Sequence, residues 1–99
     1  MQKERVVLNV TQILKTPGSG RQFVDALEQA GLLRTIRAEA GCLQYEFFTS
    51  LDDPGKLILV ERWTDEEALA THAASGHMEK FAAIKADYVA DTDLVKFIL

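Results

Sequence analysis

A single cysteine, Cys42, is all the thiol chemistry this chain carries. No internal disulfide can form, and no Cys-x-x-Cys pair exists to hold a metal or a redox centre. Basic residues are in the minority. Eleven Lys and Arg stand against 15 Asp and Glu, a net charge of −4. With no basic cluster in it, the chain suits neither a nucleic acid nor an anionic membrane surface. No apolar run approaches the roughly 20 residues that span a bilayer. The first residues, MQKERVV, lack the apolar stretch and small-residue site of a signal peptide, so a cytoplasmic location is expected. Histidine is scarce too: only His72 and His77. Their separation of five turns an unbroken helix by about 140°, so the rings are expected to face apart and no metal site is expected. GxGxxG, GxxxxGK[ST] and GxSxG are all missing, which removes the common nucleotide and nucleophile signatures.

What remains is ordinary for one soluble domain spanning residues 1–99. Arg5 to Leu14 is β-branched and apolar and reads as a first strand. Thr16-Pro17-Gly18-Ser19-Gly20 breaks it, and Ser19 is placed to cap a helix with Gln22 as partner. Phe23, Leu27, Ala30, Leu33 and Ile36 then recur at spacings of four and three, the stripe of one amphipathic helix, weakened by Gly31. Gly41 ends it. Cys42–Ser50 and Lys56–Trp63 form a hairpin about Asp53-Pro54-Gly55-Lys56, in which Gly55 would accept a positive φ. Thr64 with Glu67 makes a second capping box, and that helix runs through Ala73. Ser75-Gly76 breaks or kinks it. Met78, Phe81, Lys85 and Tyr88 resume helical spacing, and Asp93–Leu99 is the last strand. The order β-α-β-β-α-β predicts an α+β, ferredoxin-like antiparallel sheet with helices on one face.

The strands do not alternate as a half-wet sheet should. Leu57-Ile58-Leu59-Val60, Val6-Val7-Leu8, Phe47-Phe48 and Phe97-Ile98-Leu99 are consecutive apolar runs. Both faces of the sheet therefore look covered. Helices cover one, and a second copy of the chain is the simplest cover for the other, which predicts a homodimer.

Four fragments carry a family likeness: Ala40-Gly41-Cys42-Leu43-x-Tyr45, Leu59-Val60-Glu61-x-Trp63, Glu67-Ala68-Leu69-x-x-His72 and Ser75-x-His77-Met78. In this order and spacing the chain resembles the antibiotic biosynthesis monooxygenase family, whose domains are dimeric α+β barrels. The resemblance implies a small-molecule enzyme that oxidises quinols or polyphenols with dioxygen and needs no cofactor. Haem-degrading relatives are a poorer match. Asn9 could stand for their first-strand Asn, but the helix after Met78 has no histidine to ligate iron. The resemblance leaves open an isomerase or lyase acting on a small carbonyl compound. A ligand-binding dimer without catalysis also stays open.

Under the leading reading, His72 is the catalytic base, since imidazole exchanges protons near neutral pH. Asn9, Tyr45 and Trp63 would orient an aromatic substrate, and Glu61 would raise the basicity of a nearby imidazole. Each has a plainer role open to it: Trp63 and Tyr45 as core aromatics, Asn9 as a backbone tie, Glu61 as an edge or interface salt bridge, and His72 as a helix-face hydrogen-bonder. Cys42 reads as an inert thiol, and His77 as a surface or capping residue beyond the Ser75-Gly76 break.

Overall fold

The computed structural model describes residues 5–99. In chain order its elements are β1 (Val6–Leu14), α1 (Gly20–Gln29), α2 (Leu32–Arg37), β2 (Cys42–Thr49), β3 (Lys56–Trp63), α3 (Glu66–Ala73), α4 (His77–Tyr88) and β4 (Val89–Ile98). The strands form one antiparallel sheet in the order β2-β3-β1-β4. This is the expected α+β, ferredoxin-like arrangement, with each predicted helical region split in two.

Side chains alternate across a strand, so register decides what reaches the core. On β1, Val6, Leu8, Val10, Gln12 and Leu14 are buried. Their neighbours on β3 share that face: Leu8 pairs with Glu61, Val10 with Leu59 and Gln12 with Leu57. Two polar residues, Gln12 and Glu61, thus hold core positions. The helices cover this face with Phe23 and Leu27 of α1, Leu32, Leu33 and Ile36 of α2, and Phe81 of α4. Phe23 is the hub, with ring centroids 5.6 Å from Tyr88, 6.1 Å from Phe47 and 6.3 Å from Phe81. Burying each such side chain contributes about 1.5–3 kcal/mol.

The long helix expected from Phe23 to Ile36 is two helices. Gly31 adopts φ +75°, a left-handed conformation that ends α1 and lets α2 start in a new direction, turned onto β2. Ser19 does not cap α1 with its side chain. Its hydroxyl donates to the Thr16 carbonyl instead, at 2.6 Å. The cap of α3 is Asp65 rather than Thr64: its carboxylate accepts from the Ala68 N–H at 2.8 Å, and a negative charge suits a helix N-terminus better than a hydroxyl. The hairpin turn closes as expected, Lys56 N–H to the Asp53 carbonyl at 3.2 Å, but Gly55 keeps a negative φ because the Asp53 carboxylate braces its N–H at 2.8 Å. Strand β4 begins at Val89, directly after α4, earlier than the Asp93 start expected.

The other sheet face carries Val7, Ile58 and Val60, half-buried, with Phe48, Val95 and Phe97 exposed by 43–44%. Apolar residues stand on both faces. No helix among the described residues is long and apolar enough to cross a membrane.

Candidate active site

The site starts from a close approach. Gly41 sits at φ +84°, and a Cβ there would lie 2.5 Å from the Ala68 Cβ and 2.6 Å from the Thr64 hydroxyl. Only glycine lets the 39–42 loop settle on the start of α3. The Thr64 N–H donates to the Gly41 carbonyl at 2.9 Å and fastens it there. Glu39, two residues earlier, is thereby brought against the far end of α3.

That end carries His72, 4% exposed. Its Nδ1 lies 2.9 Å from Glu39 Oε2, and its Nε2 lies 3.9 Å from Glu61 Oε1, too far for a hydrogen bond. The Trp63 ring lies against the imidazole at 4.6 Å and 33°, and the Tyr45 ring approaches at 5.7 Å. Trp63 also donates its Nε1–H to Glu61 Oε1 at 3.2 Å. The other oxygen of Glu39, Oε1, meets His77 Nε2 at 2.5 Å. Ser75 completes the cluster: its hydroxyl donates to the His72 carbonyl at 2.6 Å and lies 3.0 Å from His77 Nε2.

Burial sets the electrostatics. Desolvation pushes the Glu61 carboxyl up from 4.5 to about 7. Glu39 adds to the rise, while the Trp63 N–H and Lys85 oppose it. Tyr45 is raised above its ordinary phenol value, chiefly by burial and then by Glu61 and Glu39, so it remains an O–H donor. Burial lowers Lys85, and burial raises the Cys42 thiol, which keeps it protonated and unreactive.

Two cavities flank this cluster. The inner one, about 260 Å³, lies between sheet and α4. Val10, Leu59, Met78 and Phe81 give it an apolar wall, and Gln12, Tyr45, Glu61, His72 and Lys85 bring polar groups to it. The outer one, about 380 Å³, opens between the 39–41 loop and α3, and Glu39, Ser75 and His77 line it. Glu39 thus stands between the two, binding the imidazole of one and the imidazole of the other.

Of the residues singled out from sequence, His72, Tyr45, Trp63 and Glu61 come together here. Asn9 does not. It is exposed on the opposite sheet face, because Leu8 and Val10 take the core-facing positions around it. The polar β1 residue at the cavity is Gln12, 1% exposed, whose Oε1 accepts from the Thr92 hydroxyl at 3.0 Å. His72 and His77 do not face apart. The chain leaves the helix after Ala73 and re-enters it at His77, which resets the helical phase and turns both rings to Glu39. Sequence reasoning assigned no role to Glu39. Its one signal was position, two residues before a glycine that a packed loop requires.

Glu39, His72 and His77 each offer a potential ligand atom within 4.8 Å of the others. Their two contacts, 2.9 and 2.5 Å, are hydrogen-bond lengths. Nitrogen and oxygen ligands around tetrahedral zinc stand about 3.4 Å apart. At these lengths the two imidazoles are hydrogen-bond partners of the carboxylate.

A family model described as antibiotic biosynthesis monooxygenase matches residues 6–84, which takes in every element from β1 through most of α4. The chain belongs to the antibiotic biosynthesis monooxygenase family. Within the proteins similar to this member, "Putative monooxygenase YcnE" of Bacillus subtilis (strain 168) is 32% identical over 56 residues, covering 57% of the chain and 59% of that relative. The chain therefore spans less than two thirds of this relative's length. Protein SO0527 from Shewanella oneidensis has a similar structure, with a TM-score of 0.81 and 26% identity over 98% of this chain and 92% of that one. PA3566 from Pseudomonas aeruginosa gives 0.76 and 26% over 100% and 97%.

Glu61 makes a pH prediction for this family member. With its folded value at about 7 and its ordinary value at 4.5, the native state binds more protons than the unfolded chain between those limits. Stability therefore falls as pH rises through that window, by about 3 kcal/mol if the whole shift is expressed. Glu61→Gln keeps an acceptor for Trp63 and removes the titration. Urea unfolding at pH 5 and pH 8 should show the wild type losing ground to the variant by most of that amount, about 2.5 kcal/mol. Equal pH dependence in both proteins would refute the buried-acid assignment.

Proposed function

We propose that the chain is a cofactor-independent monooxygenase that oxidises a quinol or small polyphenol with dioxygen, using His72 as base. The observation that carries this is a buried imidazole lining an apolar cavity, with its far nitrogen held by a carboxylate. A quinol supplies its own electrons once deprotonated. The protein must then provide a dry pocket, a base and fixed donors. His72 takes the phenolic proton. In this reading Tyr45, Gln12 and protonated Glu61, which line the cavity, donate to substrate oxygens, and Lys85 steadies the anion. Four electrons leave the substrate. Two make the quinone and two accompany insertion of one oxygen atom. The other oxygen atom leaves as water, with the proton from His72 returned to it. A cavity of about 260 Å³ suits one or two fused rings.

Oxygen-electrode assays with one- and two-ring quinols should find a substrate that consumes one O₂ per molecule. His72→Gln keeps an amide to meet Glu39 and removes the base, so kcat should fall about 10²- to 10⁴-fold while the protein still folds. Wild-type kcat in that variant, or no oxygen uptake across the panel, would contradict the assignment. Conversion of a carbonyl compound without oxygen uptake would put the isomerase or lyase reading in its place.

The protein is further proposed to work as a homodimer joined through the uncovered sheet face, where Phe48, Val95 and Phe97 would otherwise leave an apolar patch in water. Light scattering should give the dimer mass at micromolar concentration, and Phe97→Asp should shift it toward monomer or aggregate. A monomeric wild type would sink this part of the reading.

A further inference from the structure

We infer that Glu39 orients the proposed base His72, and that His77 holds Glu39 in place; the catalytic half of this inference rests on the reading above. An ionised carboxylate only accepts hydrogen bonds, and a neutral imidazole has one N–H to give. Glu39 faces His72 Nδ1 at 2.9 Å and His77 Nε2 at 2.5 Å, one on each oxygen. Both facing nitrogens must therefore carry the proton. His72 is then the Nδ1–H tautomer, and its lone pair sits on Nε2, on the side of Glu61 and the inner cavity. A free imidazole side chain prefers the opposite tautomer, which would place an N–H where the base is needed. Glu39 reverses that preference and stabilises the imidazolium once His72 has taken a proton, the logic of a carboxylate-oriented histidine.

His77 acts one step further out. Its ring supplies the second donor to Glu39, and the Ser75 hydroxyl bridges His77 to the His72 backbone. A carboxylate that rotates away from this position gives up one of its two donors. Glu39 and His77 are positioning residues: neither lines the inner cavity.

The test uses the full chain labelled with ¹⁵N and long-range ¹H–¹⁵N correlation of the two imidazoles, which needs no substrate. Wild-type His72 should carry its proton on Nδ1 with Nε2 bare. In Glu39→Gln the side-chain amide can donate to Nδ1, so the proton should move to Nε2. With a quinol substrate, kcat should fall at least about 10²-fold with KM little changed, the pattern of a wrong tautomer. His77→Ala should give a mixture of tautomers, and His77→Gln, which keeps an N–H for Glu39, should restore the wild-type spectrum. Wild-type His72 protonated on Nε2, or a metal ion on Nδ1 revealed by a chelator-sensitive spectrum, would overturn the inference. So would a Glu39→Gln protein with unchanged tautomer and kcat. If Glu39→Gln does not fold, the wild-type spectrum and the two His77 variants decide. An Nδ1–H tautomer in a protein that oxidises no quinol supports the orientation and refutes only the proposed reaction.

Discussion

The close contact between the 39–42 loop and the first turn of α3 is the constraint on which the site depends. It exists because residue 41 has no side chain: an added Cβ would meet Ala68 at 2.5 Å. With the loop seated, Glu39 reaches His72 across 33 positions of sequence and His77 across 38. If the loop were lifted, His72 would lose its hydrogen-bond partner in a nearly dry environment, at a cost on the order of 1–3 kcal/mol. The same movement would leave the carboxylate without either donor. Geometry at a glycine thus decides which group faces Nδ1 of a histidine 31 residues away.

Around that contact the fold concentrates polar groups where hydrophobic burial would be cheaper. Gln12, Glu61 and His72 are all buried in an otherwise apolar layer. Among the described residues, no buried side-chain nitrogen or oxygen lacks a partner, so the penalty is met by hydrogen bonds rather than left as strain. Glu61 is the exception in charge: desolvation holds its carboxyl near neutrality. A buried carboxyl whose proton is held by its surroundings thus stands 3.9 Å from a buried imidazole, the pairing of groups that proton-transfer chemistry uses.

Much of the architecture was legible in the sequence. Consecutive apolar residues marked the strands, Asp53-Pro54-Gly55-Lys56 marked the hairpin, and the break at Ser75-Gly76 fell where α3 and α4 separate. The failures have physical causes. When both faces of a strand are apolar, hydropathy does not reveal which face a residue takes, and a slip of one reverses every side chain. Asn9, flanked by Leu8 and Val10, reads as a pocket residue by resemblance, yet its side chain takes the opposite face, and Gln12 is the polar residue that reaches the cavity. Gly31 read as a weak point inside a helix, but only its left-handed backbone could tell that two helices meet there. For His77 the phase of an unbroken helix points away from His72; the Ser75-Gly76 break shows in the sequence, but the angle through which it turns the ring to Glu39 does not. Glu39 has no local motif at all. Its role comes from tertiary contact, which a sequence pattern within one element does not encode.

The most direct test of the account is where a phenol binds. An oxygen-free crystal structure with a two-ring quinol should show the ligand in the inner cavity, between Val10, Leu59 and Phe81, with one hydroxyl within about 3 Å of His72 Nε2, hydrogen-bonding distance. The ring of His72 should remain fastened to Glu39. A quinol lodged instead in the outer cavity against His77, or one whose hydroxyls avoid His72 altogether, would contradict the claim that this histidine is the base.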